Sequence, residues 1–188
     1  SDVYDAAYGK WNGSSQRDDF RVAWRGMAAN TGERTLMPAV IPPGAAHIFT
    51  LYCLGGGPNP SVVLAAAAMS SMLNDALVRA LPKSGIIQST AMQLALPPSD
   101  HPLIPRLLLR TLRLNCVTDA YSDLWREVWD PAFVEDEWLL GKAYRDAPGL
   151  GGVGPEWTPH TPLRRDVDRR NALVEIDALM ATMLGVTA

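Results

Sequence analysis

GERTLMPAVIPPG, residues 32–44, is the stretch that decides the fold. A polar entrance (Gly32, Glu33, Arg34, Thr35) runs into an apolar segment (Leu36, Met37, Ala39, Val40, Ile41) and stops at Pro42-Pro43-Gly44. Two prolines and a glycine end any regular element there. The pattern predicts a largely buried strand over residues 34–41. Pro38 cannot donate to a ladder, which puts that strand at a sheet edge or a bulge. Upstream, FRVAWRGMAA (residues 20–29) alternates in part. Phe20, Val22 and Trp24 share one face, and Arg21, Ala23 and Arg25 share the other, which reads as a half-buried strand with two arginines on its open side. Asn30-Thr31-Gly32 is a turn. Downstream, HIFTLYCL (residues 47–54) is rich in β-formers and makes a third strand. Short strands joined by short loops predict a meandering antiparallel sheet.

Helices follow. Gly55-Gly56-Gly57 leads to residues 61–81, a long alanine-rich segment with Asn59 or Ser61 as its cap and Pro82 as its stop. Residues 86–96 admit a short strand plus a helical turn, which the sequence does not decide. A second helix is expected over residues 102–118 and an acidic third from Asp119 to Trp129. The last, PLRRDVDRRNALVEIDALMATMLG, carries an apolar stripe of Leu173, Ile176, Met180 and Met183 and ends at Gly185. The expected class is α+β: a small antiparallel sheet, packed helices, and a long amphipathic C-terminal helix. Residues 1–19 read as an exposed lead-in, residues 20–140 as the folded domain, residues 141–161 as a Gly/Pro-rich loop or linker, and residues 162–188 as a helix packed on the domain.

The chain has 188 residues, enough for one domain with a sizeable core. No apolar run reaches membrane-spanning length. No basic segment followed by an apolar one opens the chain, so no secretory signal is expected. It opens on Ser1-Asp2 and not on Met, as an excerpt of a longer chain would. Cys53 and Cys116 have no CxxC partners, and they read as two buried free thiols in a reducing, cytoplasmic setting. Net charge is −3, but the average hides a contrast. Residues 79–118 hold Arg79, Lys83, Arg106, Arg110 and Arg113 against Asp100 alone, whereas residues 119–138 hold seven acids against Arg126. That predicts one basic and one acidic surface.

The chain's own chemistry is sparse. The glycines at 55–57 lack GxGxxG spacing and meet Pro58 and Pro60 at once, so a nucleotide loop is poorly matched. Asp130-Pro131-Ala132-Phe133 lacks the second proline of an amine-holding D/N-P-P-aromatic box. The three histidines, His47, His101 and His160, have no metalloprotease spacing, and no serine sits in a GxSxG elbow. His101 reads as a cap or turn residue, and His47 as a surface or edge residue. No catalytic and no metal-binding residue is assigned. What remains is material for DNA contact. It comprises Arg21 and Arg25 on a strand, Asn30, Thr31, Arg34 and Thr35 in the adjoining turn, Lys83 and Ser84 at a loop tip, and Arg106, Arg110 and Arg113 on one helix face. These types bind phosphates and base edges. The same residues also suit a solvated helix face with salt bridges.

The stretch RVAWRGMAANTGERTLMPAVIPPG resembles the segment that follows the catalytic domain in large adenine-specific DNA methyltransferases, the type IIG restriction–modification enzymes and related phage-defence methylases. The shared pattern is Trp24-Arg25, Asn30-Thr31, Arg34-Thr35-Leu36 and Pro42-Pro43-Gly44. LAAAAMSSMLNDALVRALPKSG, LALPP and RRNALVEIDALMATMLG are similar to later motifs of that family, in the same order. The resemblance implies a target recognition region for double-stranded DNA. The S-adenosylmethionine site and N-P-P-Y box of such enzymes would lie in an upstream methyltransferase domain, so no cofactor is expected in this stretch. It leaves Arg34 and Thr35 with two roles: touching the DNA backbone, or pinning the turn. The alternative from another class is a protein-interaction module, in which the acidic helix and the Leu/Met stripe dock on a partner subunit.

Overall fold

The computed structural model describes residues 2–28, 31–81, 85–139 and 149–186. The class is α+β. A three-stranded antiparallel sheet has the order β4-β3-β5, with β3 Arg21–Arg25 between β4 Pro38–Ile41 and β5 Leu51–Gly55. This corrects the expected meander: β4 and β5 are consecutive in the chain but are not paired, because β4 takes the edge. The register pairs Ala23 with Ala39 on one side and with Cys53 on the other. Pro38 is the first residue of an edge strand, where its missing N–H costs no ladder bond. The edge is covered by side chains: Asn115 accepts from the Val40 N–H at 2.9 Å, and the Tyr121 hydroxyl donates to the Val40 carbonyl at 2.9 Å. That leaves little of it open to a foreign strand.

The lead-in is structured. Helix α1 Asp2–Tyr8 precedes a small hairpin, β1 Lys10–Trp11 and β2 Ser14–Ser15. Its turn is Asn12-Gly13, both at positive φ (49° and 86°), the pairing a tight hairpin requires. Trp11 then lies across Gly55.

The alanine-rich segment is two helices, α2 Asn59–Ser70 and α3 Met72–Ala80, bent by 65°. Neither Asn59 nor Ser61 caps α2 by its side chain; Pro58 is the cap residue. α2 is apolar nearly all round, as a fully enclosed helix must be. Its small side chains let the sheet and α6 Ser122–Val128 close on one side. α5 Ile104–Asn115 and α7 Asp166–Met183 close on the other, where they form a second core. The undecided stretch resolves into an isolated bridge, Met27 with Gly85, and a short helix α4 Gln88–Ala91. Ile176, Met180 and Met183 are spent inside the second core, so this part of the stripe is not a free docking face. Among the described residues no single helix is long and apolar enough to cross a membrane.

Residues 149–161 are fastened down. Leu150 is buried, and the Trp157 indole donates to the Cys116 carbonyl at 2.8 Å. Gly151 makes that approach possible: a Cβ there would stand 2.2 Å from the Asp136 carbonyl oxygen and 2.8 Å from that of Phe133. Both obstacles are backbone, which cannot swing aside. Gly151→Ala is therefore expected to cost about 3 kcal/mol, the upper part of the overpacking range. A fall in the urea midpoint at unchanged slope would check it.

Candidate nucleic-acid interface

A break inside a helix strands backbone donors and acceptors, and they must find partners. At the α2–α3 break Ser71 is extended (φ −78°, ψ 145°), and its hydroxyl accepts from the Asn74 N–H. The freed Ser70 carbonyl accepts from Arg34 Nη1 at 2.7 Å. The freed Met72 N–H donates to Asp177 Oδ1 at 2.6 Å. Arg34 and Asp177 complete the circuit with an Nη2–Oδ2 contact of 2.6 Å. One residue on, Asp75 Oδ1 accepts from the backbone N–H groups of Thr35 and Leu36 at 2.6 and 2.7 Å. Arg79 grips Asp75 Oδ2 at 2.6 Å and donates to the carbonyls of Gly32 and Glu33. Thr35 is wholly buried. Of the two roles open to Arg34 and Thr35, the structure shows pinning of the turn.

The helix stripe also turns inward. Arg110 is wholly buried, with Nε 2.6 Å from Glu175 and Nη1 2.7 Å from Asp136. Glu175 in turn accepts from the Leu139 N–H at 2.6 Å. Arg113 donates to the carbonyls of Thr161, Gly149, Leu150 and His160. Burial pulls its pKa down to about 10, with Asp168 pulling the other way, so it stays charged at neutral pH. Only Arg106 is half exposed, and it stands 3.7 Å from Asp136. The basic segment and the acidic segment thus meet inside the molecule through Arg110 and Asp136. This corrects the expectation of separate basic and acidic surfaces for that pair. Removing Arg110 would leave Asp136 and Glu175 buried without it. Arg110→Ala is expected to destabilise by about 3–5 kcal/mol, the cost of breaking a buried ion pair from one side. Chemical denaturation checks this.

Arg21 also departs from the open-face reading of β3, because Arg21 through Trp24 are all buried. Its guanidinium donates to the carbonyls of Asp19, at 3.2 Å, and Ala45. It borders a small cluster under α1. There the Tyr4 hydroxyl is 2.8 Å from His47 Nδ1, and Cys53 Sγ is 3.5 Å from His47 Nε2. His47 is buried, not a surface residue. Cys53 is half-buried, while Cys116 is fully enclosed, with its thiol pushed up to about 12 by burial. His101 does make a local turn contact, accepting from the Leu103 N–H at 3.1 Å.

Burial, and then the Arg21 charge, lower the His47 pKa below its ordinary 6.5. Below pH 6.5 the unfolded chain therefore binds more protons at this site than the folded one. Stability should fall as pH drops from that value and level off, for this group, below the folded pKa. The loss should be smaller in His47→Gln, as thermal unfolding across that window would show.

Arg25 remains outward. It is exposed, and its guanidinium makes a long 3.7 Å approach to Met27 Sδ. It stands at the end of the sheet, where three segments converge. The Gly26 N–H donates to the Thr50 carbonyl at 2.9 Å, the Ile86 N–H to the Gly26 carbonyl at 2.8 Å, and the Trp24 indole to the Ile86 carbonyl at 2.8 Å. Thr31 is exposed on the loop leaving this end. Asn30, Lys83 and Ser84 lie outside the described residues. Sequence reading missed Asp75, Asp136, Glu175 and Asp177, the acids that hold the arginines. For Asp75, Glu175 and Asp177 the one signal was position, acids inside otherwise helical apolar patterns; Asp136, outside any helix, carried none. Among the described residues no group of three or more His, Cys, Asp or Glu could hold a metal.

No known protein family matches the chain, and neither a characterised protein nor a solved structure matches it at a significant level.

Proposed function

We propose that the chain recognises double-stranded DNA, through the end of its sheet, for an adenine-specific methyltransferase or restriction enzyme that binds S-adenosylmethionine in an upstream domain. The observation that carries this reading is the distribution of charge. Of the chain's twenty acidic residues, only Glu33 and Asp75 fall within residues 20–99. Glu33 faces Arg170 at 2.8 Å, and Asp75 is buried against Arg79. The described segments that form or lead into the sheet end, residues 20–28, 31–32, 37–55 and 85–99, contain no carboxylate side chain. Nothing in those segments repels a phosphate backbone, and Arg25 is there to meet one. The sequence resemblance supports the same reading. Arg34, Arg110, Arg113 and Arg21 serve it as scaffold, holding the surface in shape.

A second reading has its own support. Met72 and Val174 are exposed apolar residues on α3 and α7. The Met72 N–H is bonded to Asp177, one turn from Val174, so the two side chains border one surface suited to subunit docking.

Binding of a fluorescent duplex, followed by anisotropy between about 50 and 200 mM salt, separates the readings. DNA recognition predicts a linear fall of log affinity with log salt. Arg25→Ala should make the slope shallower by about 0.9, one phosphate contact. No detectable affinity at the lowest salt, with reversible self-association that Met72→Asp abolishes, would favour docking instead.

A further inference from the structure

The chain has three phenylalanines. Phe20 and Phe133 are buried, whereas Phe49 is 83 % exposed. It is not on a loose loop. It sits in the turn between Ile48 and Leu51, closed by the Leu51 N–H donating to the Ile48 carbonyl at 2.9 Å. The next residue, Thr50, accepts from the Gly26 N–H at 2.9 Å, tying the turn to the end of β3. A rigid turn is thus holding a large aromatic ring in water, which forfeits the gain of burying it. Ile48, next to it in the chain, is 65 % exposed, and Arg25 and the 58 % exposed Met27 lie at the same sheet end. No acidic residue occurs anywhere from Arg34 to Asn74.

We propose that Phe49 is a wedge that inserts between base steps of the bound duplex, while Arg25 holds the adjoining phosphate. This rests on the DNA reading above. Base steps offer what this turn lacks: flat apolar faces for a ring, bordered by anions for a guanidinium. Proteins that kink DNA use an apolar side chain in this way, unstacking one step and gaining contact area from the bend. Aromatic stacking on bases tolerates any sequence, so the wedge adds affinity and deformation; sequence readout is left to neighbouring side chains. An acidic protein surface is the rival occupant, and the experiment includes it.

The test is fluorine NMR of the whole chain carrying 4-fluorophenylalanine, titrated with duplex DNA. Phe49→Ala assigns the exposed signal, and Phe20 and Phe133 are internal controls. Phe49 is exposed and belongs to neither core cluster among the described residues, so its variants are expected to fold. The expected result is an upfield ring-current shift of the Phe49 signal alone. Phe49→Ala should weaken binding about tenfold, with the salt slope unchanged, and Phe49→Trp should keep it. If duplex binds with its salt dependence, but the signal stays in place and Phe49→Ala binds as tightly, the wedge is overturned and DNA recognition stands. If no duplex binds at low salt, both fail. A Phe49 signal that moves with protein concentration in the absence of DNA places the ring in a protein contact and also overturns the wedge.

Discussion

The ion pair between Arg34 and Asp177 is the constraint on which the rest of the structure depends. The two residues are separated by most of the chain, and they meet at a helix break. There Arg34 takes the stranded Ser70 carbonyl and Asp177 takes the stranded Met72 N–H. Without such partners a break in a half-buried helix leaves polar groups unsatisfied, at about 1–3 kcal/mol each. With them, α3 can turn away from α2 by 65°. That turn sets Asp75 under the entrance to β4, where it receives two backbone N–H groups. The edge strand, the bent helix pair and α7 are thereby one mechanical unit.

A second polar knot works at the far side of α2. Arg110 sits between Asp136 and Glu175, and Arg113 sits on four carbonyls of the stretch from Gly149 to Thr161. Arginine suits both tasks because its planar fork donates in several directions at once and keeps its charge when buried. Segments with little regular structure are held by guanidinium groups where a ladder would otherwise hold them. The cost is that these arginines are unavailable to a ligand. On the reading proposed above, the described surface left for recognition lies where the sheet ends, at Arg25, Thr31 and the turn carrying Phe49.

Much of the fold was legible in the chain. Alternation around Trp24, the proline-terminated run to Ile41 and the β-rich residues before Gly55 marked three strands, but not their pairing: a meander would centre the second strand, whereas β3 pairs with both others. Pro38 marked the edge. Helical spacing placed α5, α6 and α7 to within a few residues. Two local features misled. The run of alanines read as one helix because propensity contains no information about the Ser70 carbonyl meeting Arg34 and the Met72 N–H meeting Asp177. Arg21 read as outward because alternation assigns one face to solvent, whereas both faces of β3 are covered, one of them by the cluster under α1.

The sequence alone determined the element types, since hydrophobic period, proline and glycine act within a few residues of themselves. It determined that two acids stand among eighty residues around the sheet, since charge can be counted without coordinates. Only the tertiary structure decided which arginines face water. A guanidinium has the same composition and spacing whether it meets phosphate or a buried carboxylate. The choice lies with Asp136, Glu175 and Asp177, which stand 26, 65 and 143 residues away from the arginines they bind. Long-range packing brings those groups within hydrogen-bonding distance, and no local pattern encodes it.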